Sequence, residues 1–131
     1  MVARPVKFRM VALLPEARKR TPVVIRILYF STASPNIGVG NVEEIVKSSA
    51  ARNARQGITG ALAFNGRNFC QVLEGDEDKV MALIEKIRQD ERHSGFKILD
   101  QKEITTAYFK DWSMHRVSNL DFSTLINAMN A

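Results

Sequence analysis

The dipeptide Asn65-Gly66 restricts the fold of this chain more than any other feature. It stands between two apolar segments, residues 58–64 and 68–73. Asn-Gly between apolar runs is the strongest short-range signal for a β-hairpin, because both residues tolerate the positive φ that the tight turn requires. We therefore predict two antiparallel strands here, and the rest of the fold has to be built around this pair.

A helical segment flanks the hairpin on each side. Residues 23–31 are rich in β-branched and aromatic side chains and predict a strand before the first helix. Asn41 and Glu44 have capping-box spacing, and Gly57 suits the end of the helix that follows. Asp76 is placed to cap a second helix that ends near residue 90. The first 90 residues therefore predict the order βαββα.

The last third of the chain predicts two more strands and a tail. Residues 96–99, extending to about residue 105, form the fourth strand, and residues 112–117 form a short fifth. Asp121 could cap a short helix whose apolar stripe, Leu125, Ile126 and Met129, covers either the sheet or a partner. The order βαββαββ predicts an α+β, ferredoxin-like sheet with two helices on one face and a short C-terminal helical segment. That fold hosts many functions.

The charge of the chain is concentrated at one end. Residues 1–24 hold six Lys and Arg and one Glu, whereas the remaining residues hold 13 basic and 13 acidic side chains. We expect a basic, disordered leader and a neutral domain, which disfavours nucleic acid as the partner. Without a signal peptide or a membrane-spanning stretch, and with Cys70 as the single cysteine, we expect a cytoplasmic protein. His93, His115 and Cys70 lack metal-ligand spacing, so no metal site is expected.

Three polar side chains fall on faces that the patterns make apolar. Asn53 shares a helix face with aliphatic residues, Gln71 lies between Phe69 and Leu73 in alternation, and Tyr29 belongs to an apolar row of the first strand. A buried polar group without a partner costs about 1–3 kcal/mol. Each residue alone has an ordinary explanation in a helix end, a neighbouring strand or the surface. Together they predict a slot for a flat heteroaromatic ligand with carbonyl and N–H groups at its edge.

Four strings resemble the BLUF family of flavin-binding blue-light sensors. They are RNARQGITGAL at 52–62, FCQVLEG at 69–75, DERH at 90–93 and FKDWSM at 109–114, in the family's order. The resemblance implies a flavin-binding domain at 25–117, with the leader at 1–24 before it and a C-terminal segment at 118–131 after it. It implies FAD as the cofactor, bound between the two helices, with FMN and riboflavin as open alternatives.

The resemblance also implies roles for single residues. Tyr29 matches a tyrosine that donates an electron to the excited flavin, and Gln71 matches a glutamine whose side chain rearranges. Asn53 matches an asparagine that binds the polar edge of the flavin. Trp112 and Met114 match a pair of which one or the other lies near the glutamine. The other positions that the resemblance brings to the flavin are Ser31, Arg52, Arg92 and His93.

The resemblance implies a photoreceptor and not an enzyme. A receptor without an output domain is expected to signal through a partner protein, here unidentified, and we expect it to form homo-oligomers away from membranes. Two alternatives stay open: a flavin-free ferredoxin-like regulatory module, and an acylphosphatase-like enzyme that uses Asn53 and Arg55. Against the enzyme, this sequence has no glycine-rich phosphate loop in phosphate-binding spacing before its first helix. Bound flavin in the purified protein distinguishes the photoreceptor from both.

Overall fold

The computed structural model describes residues 23–110, 113–116 and 122–131. The elements follow the predicted order, with strand and helix ends displaced by a few residues. A disordered leader was predicted for residues 1–24, and residues 1–22 of it lie outside the described part of the chain. The strands are β1 (Val24–Ala33), β2 (Thr59–Phe64), β3 (Asn68–Asp76), β4 (His93–Glu103) and β5 (His115–Arg116), and the helices are α1 (Val39–Gln56), α2 (Glu77–Arg88) and α3 (Ser123–Met129).

The described strands form one sheet in the order β4-β1-β3-β2-β5. The first four are antiparallel to their neighbours, whereas β5 pairs with β2 in parallel. The long strands β1 and β3 lie next to each other in the middle. Their register places Tyr29 opposite Gln71 and Arg26 opposite Glu74. Because side chains alternate along a strand, these two pairs lie on opposite faces of the sheet.

The predicted hairpin is confirmed. Gly66 has a φ of 95°, and the Asn65 side-chain oxygen accepts hydrogen bonds from the backbone N–H groups of Arg67 (3.0 Å) and Asn68 (2.7 Å). These bonds satisfy turn donors that the ladder between β2 and β3 leaves unpaired. The sequence therefore fixes the position of the hairpin through one short polar side chain and one glycine.

One predicted cap was misplaced and two were correct. Helix α1 begins after Gly38, not at Asn41, and the Asn41 side-chain oxygen accepts a bond from the Gly38 backbone N–H at 2.8 Å. Asn41 is thus the third residue of the helix, and its side chain accepts a hydrogen bond from the backbone N–H of the N-cap residue. Gly57 ends α1 with a φ of 69°, and Asp76 caps α2 by accepting from the Asp78 N–H at 3.0 Å.

Each face of the sheet has its own core. Helices α1 and α2 cover one face, as predicted, over a cluster that includes Ile27 and Leu73. Helix α3 covers the opposite face, where Leu125 and Met129 pack in one cluster with Leu28, Ala61, Ala63, Cys70 and Val72. The stripe of the tail therefore covers the sheet, except for Ile126, which is 48% exposed. Asp121, the predicted cap of this helix, lies outside the described residues.

Candidate functional site

A cleft lies between α1 and α2, with β1, β2 and β3 as its floor. Its cavity volume is about 120 Å³, and it is partly open to solvent. Clefts lined by apolar side chains with a few polar groups are typical sites for small molecules and cofactors. The side chains that line it are Tyr29, Ile45, Ser49, Arg52, Leu62, Phe69, Gln71, Leu83, Lys86, Ile87, Asp90, Arg92 and His93.

Tyr29 and Gln71 meet on the floor of the cleft. They are directly opposite each other on β1 and β3, and the Tyr29 hydroxyl donates a hydrogen bond to Oε1 of Gln71. Both side chains are buried, and the Phe96 ring lies 4.7 Å from the Tyr29 ring, centroid to centroid. Burial raises the pKa of the Tyr29 phenol well above its ordinary value, with the nearby Cys70 and Asp90 adding to the shift. The phenol is therefore neutral and keeps its proton on the bond to Gln71.

Met114 determines which way the Gln71 amide points. The Gln71 Nε2 group lies 3.4 Å from the Met114 sulfur, and Met114 is 7% exposed. A thioether only accepts hydrogen bonds, so the amide nitrogen faces it and the amide oxygen faces Tyr29. A reversed amide would set its oxygen against the sulfur. Of the two residues predicted near the glutamine, Met114 lies beside it, and Trp112 lies outside the described residues.

Asn53 is fully buried but does not line the main cleft. It lines a smaller adjoining cavity, which shares Arg52, Leu83 and Lys86 with the cleft. Its Nδ2 group donates to the Ser113 carbonyl at 2.9 Å, and its Oδ1 atom accepts from Nε of Arg52 at 3.4 Å. The structure thus has two adjacent cavities, which share lining side chains, in place of the single slot expected for Tyr29, Asn53 and Gln71.

Ser31 and His93 bond each other behind the cleft. His93 uses both ring nitrogens within the protein: Nδ1 lies 2.7 Å from the Ser31 hydroxyl, and Nε2 lies 2.5 Å from the Ile87 carbonyl. Because a carbonyl only accepts, Nε2 carries the proton, and in the neutral ring Nδ1 accepts from Ser31. His93 therefore ties the end of α2 to β1. Its ring lines the cleft edge-on to Tyr29, with 6.4 Å between centroids.

The mouth of the cleft is cationic. Arg92 is half-exposed and holds Asp90 through two nitrogens, at 3.0 and 2.6 Å, which lowers the pKa of the Asp90 carboxyl to about 2. Burial lowers the pKa of Arg52, although the group stays charged. Within the described parts of the chain, Lys86 has no hydrogen-bond or ion-pair partner, nor do the terminal nitrogens of Arg52. These positive groups suit an anionic ligand.

Ser49 and Lys86 are polar residues of the cleft to which the sequence analysis gives no role. The Ser49 side chain is only 6% exposed, lines the cleft and has no partner among the described residues. Its position one turn before Asn53 could have identified it. Lys86 follows the buried Leu83 by three residues, so the helical period could have placed it at the rim.

The comparisons with known proteins agree with this geometry. A family model described as "Sensors of blue-light using FAD" matches residues 24–115, which is more than half of the chain. The chain belongs to the BLUF family. A solved structure of BlrB, a BLUF protein in its dark state, has a TM-score of 0.73 and 32% identity, with 82% of each chain covered. BlsA in a photo-activated state has a TM-score of 0.71 and 29% identity, covering 79% of this chain and 77% of that one.

Two curated relatives are much longer BLUF-containing proteins. The blue light- and temperature-regulated antirepressor BluF of Escherichia coli K12 is 39% identical over 67 residues, which are 51% of this chain and 17% of that protein. The photoactivated adenylate cyclase subunit beta of Euglena gracilis is 32% identical over 89 residues, which are 67% of this chain and 10% of that subunit. The chain thus spans only a small part of these relatives.

BLUF membership confirms the ferredoxin-like α+β fold and a blue-light sensory domain of a flavin-binding type. None of the described helices of this BLUF protein is long and apolar enough to cross a membrane. The family match extends to residue 115 and therefore includes Met114, the residue that contacts the Gln71 amide.

Proposed function

We propose that this chain is a blue-light photoreceptor that binds FAD between α1 and α2 and switches through Tyr29 and Gln71. One observation carries the proposal: the buried bond from the Tyr29 hydroxyl to Gln71 Oε1, on the floor of the cleft and closed by Met114. A tyrosine and an amide that are hydrogen-bonded on the floor of the cleft form a path for a proton. We propose that the chain itself is a sensor and not an enzyme.

The residues of the cleft suit a flavin. The aliphatic side chains of Ile45, Leu62, Leu83 and Ile87 would contact the faces of a flat ring system, because they line the cleft from the sheet and from both helices. Polar groups would bind its edge, and Ser49 offers a buried hydroxyl without a described partner. Asn53 would reach the ring if Leu83 and Arg52, which lie between the two cavities, move aside.

The cationic mouth would hold the rest of the cofactor. Lys86, Arg52 and Arg92 are placed where a phosphate outside the ring pocket could be bound. This favours FAD or FMN over riboflavin, and the description of the family favours FAD. His93 would contribute its ring edge rather than a hydrogen bond, because both of its nitrogens bond the protein, and Ser31 would act through His93.

Bound oxidised flavin would supply absorption of blue light and a strong one-electron oxidant. Tyr29 is the electron donor in this proposal. Loss of an electron makes the phenol acidic, and its proton leaves along the existing bond to Oε1 of Gln71. The protonated amide would no longer match its dark partners, so Gln71 would rotate or change tautomer, and the electron and a proton would then return to Tyr29. The Gln71 Nε2 group then gives up Met114, and the new bonds persist until the dark arrangement returns.

We further propose that light alters the affinity of the chain for a partner protein or for another copy of itself. A coupling of about 1–3 kcal/mol is enough for a useful switch. Relatives carrying the same module are an antirepressor and a cyclase subunit, so the module serves different outputs in different proteins. Residues 25–117 would be the sensory unit and 118–131 its C-terminal segment. We place the protein in the cytoplasm, which suits a single cysteine.

Absorption spectra before and after blue light test the proposal. The purified protein should be yellow and show a small, reversible red shift. Tyr29→Phe and Gln71→Leu should keep flavin and lose the shifted state, because they retain volume but remove the proton donor and the switching amide. Tyr108→Phe and Gln101→Leu are matched controls at exposed positions and should behave as wild type. A colourless protein that takes up none of FAD, FMN or riboflavin would refute flavin binding, and normal photocycling of Tyr29→Phe would refute the switch.

A further inference from the structure

The face of the sheet away from the cleft contains a buried ion pair. Nε of Arg26 lies 2.8 Å from Oε2 of Glu74, and the side chains are 3% and 1% exposed, on the face that carries the apolar cluster under α3. A buried ion pair is often no more stabilising than well-packed apolar side chains of the same size, because both charges lose their water. Core stability alone therefore does not explain why an ion pair is buried at this position.

Glu74 uses its whole capacity to accept hydrogen bonds. Oε2 accepts from Arg26 and from the backbone N–H of Tyr108 at 2.7 Å, while Oε1 accepts from the Thr59 hydroxyl at 2.8 Å and from the backbone N–H of Phe109 at 2.9 Å. A carboxylate offers about four acceptor positions. Two of the four go to consecutive backbone groups of the chain between β4 and β5.

Arg26 complements these bonds from the other side. Its terminal nitrogens donate to the carbonyl of Thr106 at 3.2 Å and to the carbonyl of Ala128, in α3, at 2.9 Å. Its guanidinium also lies under the Tyr108 ring, 5.8 Å from the centroid. One ion pair thus binds the segment 104–110 through three backbone groups and binds the end of α3 through a fourth.

The path of the chain explains why these bonds are needed. β4 and β5 lie at opposite edges of the sheet, so the connection between them has to cross β1, β3 and β2. Backbone N–H and carbonyl groups that cross an apolar face need partners, because they leave water there. Arg26 and Glu74 are the cross-strand pair that supplies those partners midway along the crossing.

The same crossing leads to the switch. Met114 follows Phe109 by five residues and contacts Gln71 on the cleft side. Tyr29–Gln71 and Arg26–Glu74 are register partners on the same two strands, three residues apart and on opposite faces. Whatever fixes residues 108 and 109 over Glu74 also limits where Met114 can lie beside Gln71.

We propose that Arg26 and Glu74 are positioning residues for the light switch: from the far face of the sheet they anchor the segment that presents Met114 to Gln71. The proposal rests on the switch assigned to Tyr29 and Gln71. In this proposal the same ion pair holds both the chain that leads to Met114 and the end of α3.

Glu74→Gln is the direct test, with Thr59→Val as its matched control. In Glu74→Gln, one carboxylate oxygen, which accepts hydrogen bonds, is replaced by an NH₂ group, which only donates. Thr59→Val removes a hydrogen bond to Glu74 from Thr59, which does not belong to the crossing segment. The first readout is hydrogen exchange of the Tyr108 and Phe109 amides in the dark, and the second is the rate of dark recovery after blue light. A double variant, Arg26→Met with Glu74→Leu, removes both charges at similar volume and stands in if Glu74→Gln fails to fold.

We expect Glu74→Gln to speed exchange by about tenfold or more at whichever of the two amides faces the new NH₂ group, and to change the recovery rate by about fivefold. Thr59→Val should alter neither, and the double variant should follow Glu74→Gln. Unchanged exchange would show that Glu74 is not the anchor. Faster exchange with wild-type recovery, in either variant, would show that the anchor does not position Met114. A wild-type chain that binds flavin without photocycling refutes the switch itself, and the dark exchange data then still report whether the anchor exists.

Discussion

Replacing Met114 with leucine removes the feature that orients the Gln71 amide. The Met114 sulfur lies 3.4 Å from Nε2 of Gln71, in a site where Gln71 is 4% exposed. An N–H left without a partner there costs roughly 1 kcal/mol, since sulfur is a weak acceptor and the lower end of the usual range applies. Leucine contacts either end of the amide equally, so the bias toward the dark orientation falls by about 1 kcal/mol, or about fivefold in population.

Dark recovery after a blue flash measures this bias. With the return to the dark orientation less favoured, the red-shifted absorbance of Met114→Leu should decay up to about fivefold more slowly than that of wild type, with flavin content unchanged. Met129→Leu makes the same chemical change at a methionine that is 4% exposed on the far face, and it should recover at the wild-type rate. Recovery of Met114→Leu at the wild-type rate, or equal slowing in both variants, would refute the role of the sulfur.

Three further predictions concern binding, pH and the leader. Asn53→Ala should weaken flavin binding about 5- to 100-fold in a titration, because a polar edge loses its partner, whereas exposed Asn127→Ala should bind normally. Burial raises the pKa of the Cys70 thiol from 9.0 to about 11, so the folded state holds this proton more tightly, and stability is lost as pH rises from 9. Urea unfolding should show a loss of about 1.4 kcal/mol by pH 10 that is absent in Cys70→Ala. A chain starting at Pro22 should fold and photocycle, and loss of its flavin would contradict the dispensable leader.

Local signals in the sequence were sufficient for the fold. The Asn65-Gly66 turn, the Gly57 helix end and the Asp76 cap are each decided by the backbone preference of one or two residues, and each lies where it was predicted. The predicted start of α1 was wrong because Asn occurs both as the N-cap residue and as the third helical residue whose side chain bonds the N-cap backbone N–H. The helical period does not distinguish Gly38 from Asn41 as the boundary.

The site was harder to predict than the fold. Tyr29 and Gln71 stood out as polar residues in apolar rows, and they meet because the hairpin brings β3 beside β1 in one particular register. No local signal gives that register. The same limit applies to His93, which the resemblance brings to the flavin and whose two bonds involve Ser31 on β1 and the last turn of α2. Glu74 has no local signal that marks it as half of an ion pair, because Arg26, its partner, lies 48 residues away in the sequence.

A signal from the cleft has to pass through an element that can adopt two arrangements. The paired strands β1 and β3 are poor candidates, because nine register pairs hold them together. Among the described residues, the segment 113–116 pairs with the sheet at only two positions, in β5, and is held besides by the bond from Asn53 to the Ser113 carbonyl and by the ion pair of Arg116 with Glu43. Gln71 and Asn53 therefore both contact this segment on the face of the sheet that α1 and α2 cover, while Glu74 holds its approach from the other face. Loss of the Gln71 contact on one face, or of the Glu74 bonds on the other, would therefore shift the same segment of chain. A small change in one amide can be amplified there.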